Sequence, residues 1–430
     1  MKKYLTLPLV ILLLILLAAC GSKGSSSSPT SENQTGQPDE ALSSSSDPTP
    51  NVIVEFENNI PDIIFHNGII LTMEPSQPRV EAIAIQGERI LALGSNEEIL
   101  ELRVPETNVI NLLGLTLTPG FIDSHSHRLQ QRYKWGFSTL KEAVQEALSQ
   151  GWTSVDELYI DQANLDEMLA ADQRGELPLR VNAYLLTNDF GGASLGDWYE
   201  NYQPGQQLSP HLRVAGLKVF IDYDSGRELF WTQEELNELF SRYHAEDWQI
   251  STKAISIQSH ELALNAFEYT LDGKTNELYR HRIEHSVGVN DQQLARMVDM
   301  GIITCIQPGL PGVMSYDPDI YRMADENGVE NVFRWKDYYQ SGVIMVGSPL
   351  NPPQAFDEQL LPSHISPTGV IYRAVTQIGP ENQTPEPWML DNTLTVDQLL
   401  PLLTINGAYT TFEEDFKGSL VQPSYRPLRR

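Results

Sequence analysis

The chain has 430 residues, of which 41% are hydrophobic and 20% are charged. This length is enough for a large buried core, and the composition is that of an ordinary soluble protein. The 57 acidic residues against 29 basic ones give a formal net charge of −28. Because so negative a surface repels phosphate backbones, the charge argues against nucleic acid as a partner. Two cysteines are too few for a disulfide framework or a thiolate zinc site.

The first 20 residues have the layout of an export signal. Lys2 and Lys3 precede an apolar run over residues 5–17, which is too short to span a membrane comfortably. The run leads into Leu-Ala-Ala-Cys, which resembles a bacterial lipobox, and the resemblance implies that Cys20 is the lipid attachment site. We therefore expect an extracytoplasmic protein that is lipid-anchored to a bacterial cell-envelope membrane and touches the membrane only through that anchor.

Residues 21–50 are rich in Ser, Pro and Thr and contain few apolar side chains. Such a segment cannot bury enough surface to offset the entropy lost on folding. We therefore predict that it is a disordered tether between the signal and the folded part of the chain.

Residues 51–118 are predicted to form a small β-domain. Apolar strands flank Asn67-Gly68, a pair that favours a hairpin turn, and a second hairpin is predicted over residues 81–93. We assign residues 415–430 to the same domain. Because the chain stops soon after Leu420, we expect this C-terminal part to be truncated, which would leave a small β-sandwich incomplete with an unpaired edge.

From residue 119 onward, short apolar strands alternate with helices, which predicts parallel βα units and an α/β fold. The eight strand candidates are residues 120–123, 153–155, 179–184, 216–221, 249–252, 282–284, 302–306 and 343–346. Eight units indicate a (β/α)8 TIM-type barrel over residues 119–414, with a doubly wound open sheet as the alternative. No glycine-rich phosphate loop follows the first candidate to favour the open sheet. Cys305, inside the seventh candidate, fits a buried core thiol better than a nucleophile.

Helix boundaries between these strands have recognisable signals. The capping-box spacing occurs at Thr139 with Glu142, Thr232 with Glu235 and Asn290 with Gln293. Gly301 is placed to end the helix that begins at Asn290.

The segment Pro119-Gly120-Phe121-Ile122-Asp123-Ser124-His125-Ser126-His127 carries the strongest functional signal. Histidines at i and i+2 on a strand share one side of it, and at the C-terminal end of a barrel strand they face the usual ligand site. A His-x-His pair alone is weak support for a metal site. In this context the segment resembles the first strand of the amidohydrolase superfamily.

The resemblance extends from about residue 62 to residue 420 and is to family 3, the N-acyl and N-formyl amide hydrolases. Gly216-Leu217-Lys218-Val219-Phe220 resembles the fourth-strand motif, whose lysine is carboxylated and bridges two metals. Arg282-Ile283-Glu284-His285 resembles the sixth-strand motif, whose histidine is a ligand. The resemblance implies that His125, His127, Lys218 and His285 hold one divalent ion, or two weakly, with zinc the expected metal.

Elementary chemistry agrees with these implied roles. A lysine near cations at a barrel mouth should have a lowered pKa, which favours the neutral amine that reacts with carbon dioxide. Carboxylated Lys218 would then be an anionic oxygen ligand that suits zinc or manganese beside imidazoles. A metal in such a site activates water for attack on a polarised carbonyl.

Two positions depart from the family pattern. The fifth-strand histidine ligand is replaced by Lys253, and a protonated lysine cannot coordinate a cation. The eighth-strand aspartate, which binds metal and accepts a proton, is replaced by Pro349, so the catalytic residue of this chain is unknown. Asp222 or Asp224 is either a substitute carboxylate or a loop acid at a turn. Lys253 is alternatively a fixed charge in the place of the missing metal.

The residues leave three functions open. The first is a metal-dependent hydrolase of non-peptide carbon–nitrogen bonds in a small amide-type substrate. The second is a catalytically impaired relative that acts as a membrane-tethered, small-molecule binding lipoprotein. The third is a truncated gene product without a stable function. The sequence does not indicate the oligomeric state or the particular substrate.

Overall fold

The structure, a computed structural model, describes residues 60–223, 226, 228–309, 326–349, 366–378 and 384–421. The predicted signal peptide, Cys20, the tether and Asp224 lie outside these residues. None of the described helices is both long and apolar enough to cross a membrane.

Within the described residues, the small β-domain has seven short strands in two sheets. In chain order they are β1 Ile63–His66, β2 Ile69–Leu71, β3 Arg79–Val80, β4 Ala82–Gln86, β5 Arg89–Gly94, β6 Asn108–Asn111 and β7 Thr116–Leu117. The four-stranded sheet has the order β5-β4-β1-β6 and the three-stranded sheet the order β3-β2-β7. A short helix, α1 Asn96–Leu100, packs its buried Ile99 with Ile64 and Leu91 of the larger sheet.

One of the two predicted hairpins is confirmed and the other is wrong. Strands β4 and β5 pair antiparallel as expected, but β1 and β2 belong to different sheets and do not pair. Asn67 does adopt the left-handed conformation of a turn, at φ 57°. Its side chain donates to Asn111 Oδ1, which ties the turn to β6 and directs the chain from one sheet to the other.

The C-terminal segment returns to this domain at Leu420. Its backbone N–H donates to Thr72 O over 2.7 Å, and its side chain packs on the apolar cluster around Ile70 and Val80. Residues 422–430 lie outside the described part of the chain, so truncation of the domain stays a prediction.

The main body is the predicted (β/α)8 TIM-type barrel. Its strands are β8 Phe121–Ser126, β9 Trp152–Ile160, β10 Arg180–Leu186, β12 Leu212–Phe220, β13 Ile250–Ala254, β14 Arg282–His285, β15 Ile303–Ile306 and β16 Met345–Gly347. All are parallel and pair in chain order, and each overlaps one of the eight predicted strands. Ser348 Oγ donates to His125 O over 3.1 Å, which links the end of the last strand to the first.

Helices surround the barrel. In chain order they are α2 Leu140–Gln150, α3 Gln162–Gln173, α4 Gln233–Ala245, α5 Ile257–Leu271, α6 Asp291–Met300, α7 Trp335–Ser341, α8 Pro367–Thr376, α9 Pro387–Asp391, α10 Val396–Leu402 and α11 Ile405–Thr410. The capping boxes predicted at Thr139, Thr232 and Asn290 are all present. Gly301 ends α6 in the left-handed region at φ 72°.

The third and fourth barrel strands are joined differently from the alternation that the sequence suggests. Residues 187–211, all described, contain the 3-10 helix Trp198–Asn201 and the strand β11 Gln207–Ser209, which pairs antiparallel with β12. Four glycines between positions 191 and 205 break a helical run here. The connection therefore starts at the barrel mouth after β10 and ends at the opposite end of the barrel, where β11 lies beside the first residues of β12.

Candidate metal centre

His125 and His127 converge at the end of β8. Both side chains are buried, and their Nε2 atoms are 3.2 Å apart. Burial lowers the pKa of His125 to about 4 and that of His127 well below its usual value. Both rings are therefore neutral at physiological pH, which is the form that binds a metal ion.

Glu284 orients His125 from β14. Its Oε2 lies 2.6 Å from His125 Nδ1. Burial would raise the pKa of Glu284, but the Arg282 guanidinium and the bond to His125 outweigh it and hold the pKa well below its usual value. An ionised carboxylate fixes the proton on Nδ1 and leaves the lone pair on Nε2 for a metal. The motif containing Glu284 was found in the sequence, but this positioning role was not.

His285 joins the same group because of an unusual backbone. Neighbouring residues on a strand normally face opposite sides. At the end of β14, however, His285 and Ser286 have φ values of 75° and 43°, in the left-handed region that only a few per cent of non-glycine residues adopt. The His285 ring lies 4.6 Å from the His125 ring, centroid to centroid, and its Nδ1 is 3.1 Å from Gln307 Oε1.

Lys218 is fully buried in β12, and its Nζ has no hydrogen-bond partner among the described residues. Burial lowers its pKa to about 8, with the charges of Arg282 and Lys253 acting in the same direction and that of Glu284 opposing it. The direction agrees with the expectation from the sequence. A buried amine without a partner is costly, which indicates that another group completes this position.

Lys253 makes a buried ion pair. Its Nζ lies 2.5 Å from Asp222 Oδ1 and 3.2 Å from Tyr223 O. The second oxygen of Asp222 accepts the backbone N–H of Ile255 over 3.0 Å. Asp222 is therefore the partner of Lys253 and does not provide a free carboxylate for metal binding.

Pro349 is buried directly after Ser348, whose hydroxyl holds the backbone of His125. The position at which the family pattern places an acid therefore carries no proton acceptor. Asp222 is bound to Lys253, so it does not supply the missing carboxylate.

A column of buried polar residues lies beneath the histidines and was missed in the sequence. Arg282 Nη1 is 3.3 Å from Asp156 Oδ2, and Asn182 Nδ2 bonds both Asp156 Oδ1 at 3.1 Å and Glu413 Oε2 at 2.8 Å. Lys417 Nζ closes the column 2.5 Å from Glu413 Oε2. Burial raises the pKa of Asp156 to about 6. The alternation of Arg282 and Glu284 in a short strand was the available signal.

Cys305 lies near this group but is a poor ligand. Ligand atoms of His125, Glu284 and Cys305 fall within 4.8 Å of one another. Both oxygens of Glu284 are already engaged, since Oε1 accepts Ser251 Oγ at 2.8 Å and Arg282 Nε at 2.5 Å. Burial raises the pKa of the Cys305 thiol well above its usual value, so it stays protonated. The prediction of a buried thiol is confirmed.

These donors fit one divalent ion. The Nε2 atoms of the neutral His125 and His127 rings are close enough to bind the same ion, and the His285 ring lies against that of His125. Lys218 supplies an amine with no partner among the described residues. They do not fit a second ion equally well, because Lys253 places an ammonium group at the corresponding ligand position. The identity of the metal and the ligand roles of the four residues stay predictions.

The chain is similar in sequence and in fold to known hydrolases and related proteins. A family model described as the amidohydrolase family matches residues 137–422. Among curated proteins, the chain is 28% identical over 169 residues to the exoenzymes regulatory protein AepA of Pectobacterium carotovorum subsp. carotovorum, covering 39% of this chain and 32% of that protein. It is 30% identical over 66 residues to an N-substituted formamide deformylase of Arthrobacter pascens, covering 15% and 12%.

The matched stretches thus span a third or less of these two relatives. A solved structure of an uncharacterized metal-dependent hydrolase from Pyrococcus horikoshii OT3 has the same fold, with a TM-score of 0.66 at 18% identity, and covers 84% of this chain and 95% of that one. The family model covers about two thirds of the chain, from the residues after the His-x-His pair to the return into the small β-domain. The chain therefore belongs to the amidohydrolase family.

Proposed function

We propose that this chain is a metal-dependent hydrolase that cleaves a non-peptide carbon–nitrogen bond in a small amide-type substrate. The observation that carries the proposal is the shared focus of the His125 and His127 Nε2 atoms, 3.2 Å apart at the C-terminal end of a barrel strand. Barrel enzymes bind their substrates at this end. The formamide deformylase among the relatives supports an N-acyl or N-formyl substrate.

One divalent ion, with zinc the preferred candidate, would be held by His125, His127, Lys218 and His285. Such an ion supplies a Lewis acid for the substrate carbonyl and acidifies water. Near its pKa of about 8, part of Lys218 is a neutral amine. That amine can add carbon dioxide and release a proton, which gives a carbamate whose oxygen would coordinate the ion.

The chain's own groups would orient the ligands. Glu284, fixed by Arg282 and Ser251, keeps the His125 proton on Nδ1. Pro349 removes the general base of the family pattern, and Asp222, which is paired with Lys253, does not replace it. General-base help is worth about 10²–10⁴-fold. We therefore expect slow turnover compared with relatives that retain the acid.

The proposal is tested by metal analysis and hydrolysis assays on the purified full-length chain in detergent. We expect at most one equivalent of zinc or manganese and metal-dependent release of amine from N-acyl or N-formyl amino acids. His127→Gln should abolish both metal retention and turnover. His211→Gln, at a half-exposed histidine bonded to Asp172, is the matched control and should change neither. Turnover that persists in His127→Gln would contradict the proposal.

A second candidate function is binding without efficient turnover, on a membrane-tethered lipoprotein. It is favoured by the Lys253–Asp222 pair and by Pro349, which together remove the second metal position and the base. A Lys253→His, Pro349→Asp double variant separates the two candidates. Turnover that appears only in that variant supports the binding protein, whereas turnover in the parent chain supports the hydrolase.

We also propose that the protein is anchored by a lipid on Cys20 outside the cytoplasm. The support is the order of two lysines, an apolar run and Leu-Ala-Ala-Cys at the start of the chain. The anchor would bring the site to the membrane surface.

A further inference from the structure

A row of aromatic rings leads away from the metal centre. His127 contacts Tyr159, with ring centroids 5.8 Å apart; Tyr159 contacts Phe220 at 5.9 Å, and Phe220 contacts Phe190 at 5.3 Å. The last contact joins Phe190 to Tyr223 at 5.5 Å. All are edge-to-face or tilted contacts, the geometry that aromatic rings prefer. We call Tyr159, Phe190, Phe220 and Tyr223 the aromatic row.

The row lies at the barrel mouth, where substrates enter. Tyr159 and Phe220 are at the C-terminal ends of β9 and β12, and the other two members follow β10 and β12 by a few residues. Exposure is uneven along it: Tyr159 is partly exposed, Phe220 is 3% exposed, Phe190 is partly exposed, and Tyr223, the last member, is 45% exposed. It therefore leads from a buried histidine to solvent, with apolar surface left uncovered along the way.

The loop that carries Phe190 is held in one conformation. Asn188 donates to Phe220 O over 2.8 Å and accepts the Phe220 N–H over 2.9 Å, which ties the loop to β12. Asp189 Oδ1 accepts the N–H groups of Gly191 and Ala193, both at 2.9 Å. Gly192 leaves the space that the Phe230 ring fills, since a Cβ there would come within 2.6 Å of that ring. The row is thus preorganised, which lowers the entropic cost of binding a ligand.

The lysine side chains beside the row limit which ligands its rings can contact. Aromatic faces attract cations, but Lys218 Nζ lies 5.2 Å from the centre of the Phe220 ring and Lys253 Nζ 6.0 Å from that of Phe190. These two rings therefore already have a lysine Nζ against a face, and that face is not free for a cationic ligand. A neutral, flat aromatic group needs only the remaining ring surface and can add one more edge-to-face contact.

We propose that the aromatic row is a specificity subsite for an aromatic ring attached near the scissile amide, so that the substrate is an arylacyl or aryl-substituted amide. This inference rests on the proposed function, which supplies the amide at the metal centre. Tyr223, the most exposed member of the row, and Phe190, which contacts it, are specificity-determining residues in it.

The test is a ligand-observed NMR titration of the full-length chain in detergent, with metal removed and with zinc added. The probes are phenylacetamide and acetamide. We expect phenylacetamide to bind at least about tenfold more tightly in both metal states. Phe190→Ala and Tyr223→Ala should each reduce this preference to threefold or less. Tyr269→Ala is the control, since that residue is 64% exposed on α5 and outside the row, and it should retain the preference.

Equal binding of the two probes by the parent chain overturns the inference, and so does a preference that survives both row variants. Because Tyr223 is half-exposed, its variant keeps the test valid if Phe190→Ala does not fold. Zinc-dependent hydrolysis of both amides, measured in parallel, distinguishes the two proposals. Aromatic preference without hydrolysis supports the subsite and counts against the hydrolase. Hydrolysis without preference does the reverse.

Discussion

The substitution Lys253→Met tests how much the Lys253–Asp222 ion pair contributes to stability. Lys253 occupies the position at which the family pattern places a metal ligand. Lys253 is 4% exposed and Asp222 is fully buried, with 2.5 Å between Nζ and Oδ1. At an effective dielectric constant of 20, this distance corresponds to a gross attraction of about 6–7 kcal/mol. Desolvation cancels much of that, but removing one partner leaves a buried charge, which typically costs about 3–5 kcal/mol.

Asp222 keeps one hydrogen bond in this variant, from the N–H of Ile255. We therefore expect the lower end of the range, a loss of about 3 kcal/mol in the free energy of unfolding. Adding Asp222→Asn should recover part of it, because the double variant has no unpaired charge. A double-mutant cycle should give a coupling energy of at least about 2 kcal/mol between the two residues.

The measurement is equilibrium urea unfolding of the full-length chain, followed by fluorescence. Arg174→Met is the matched control, since Arg174 pairs with Glu176 on the surface, where the side chains are 58% and 32% exposed. Such a pair is worth at most about 1 kcal/mol. If Lys253→Met costs no more than the control, or if the cycle shows no coupling, the pair is not a structural element of the site.

Three further predictions concern other parts of the chain. Glu284→Gln should weaken zinc binding by about 10–100-fold in a chelator competition, because a neutral amide no longer fixes the His125 proton; unchanged affinity would remove its positioning role. Burial lowers the pKa of His281 to about 3. As the pH falls below about 6.5, the unfolded chain therefore binds a proton at this residue while the folded chain does not, and the free energy of unfolding decreases. The free energy of unfolding of the wild type, relative to that of His281→Phe, should therefore fall by roughly 2–3 kcal/mol between pH 7 and pH 4.5. A difference that stays constant over this range would contradict the lowered pKa. Cys20→Ser should abolish incorporation of labelled fatty acid and release the chain from the membrane fraction, and labelling that persists would place the lipid elsewhere.

Local sequence pattern was sufficient for most of the fold. The eight barrel strands are short apolar runs with recognisable helix signals between them, and both features depend on neighbouring residues. The capping boxes at Thr139, Thr232 and Asn290 are present because an N-cap and its N3 residue interact within one turn. The His125 and His127 side chains share a focus for a similar reason, since the two-residue period of a strand puts them on one side.

Tertiary structure decided what these side chains contact. The Lys253–Asp222 and His125–Glu284 pairs join residues 31 and 159 positions apart, and the sequence contains no local signal for either. The positive φ of His285 likewise depends on packing against distant strands. So does the placement of β1 and β2 in different sheets. The sequence by itself determined the barrel and the histidine pair through local periodicity. Only the tertiary structure decided that Lys253 pairs with Asp222 and that Lys218 has no partner among the described residues, because both depend on which strands the closed barrel brings together.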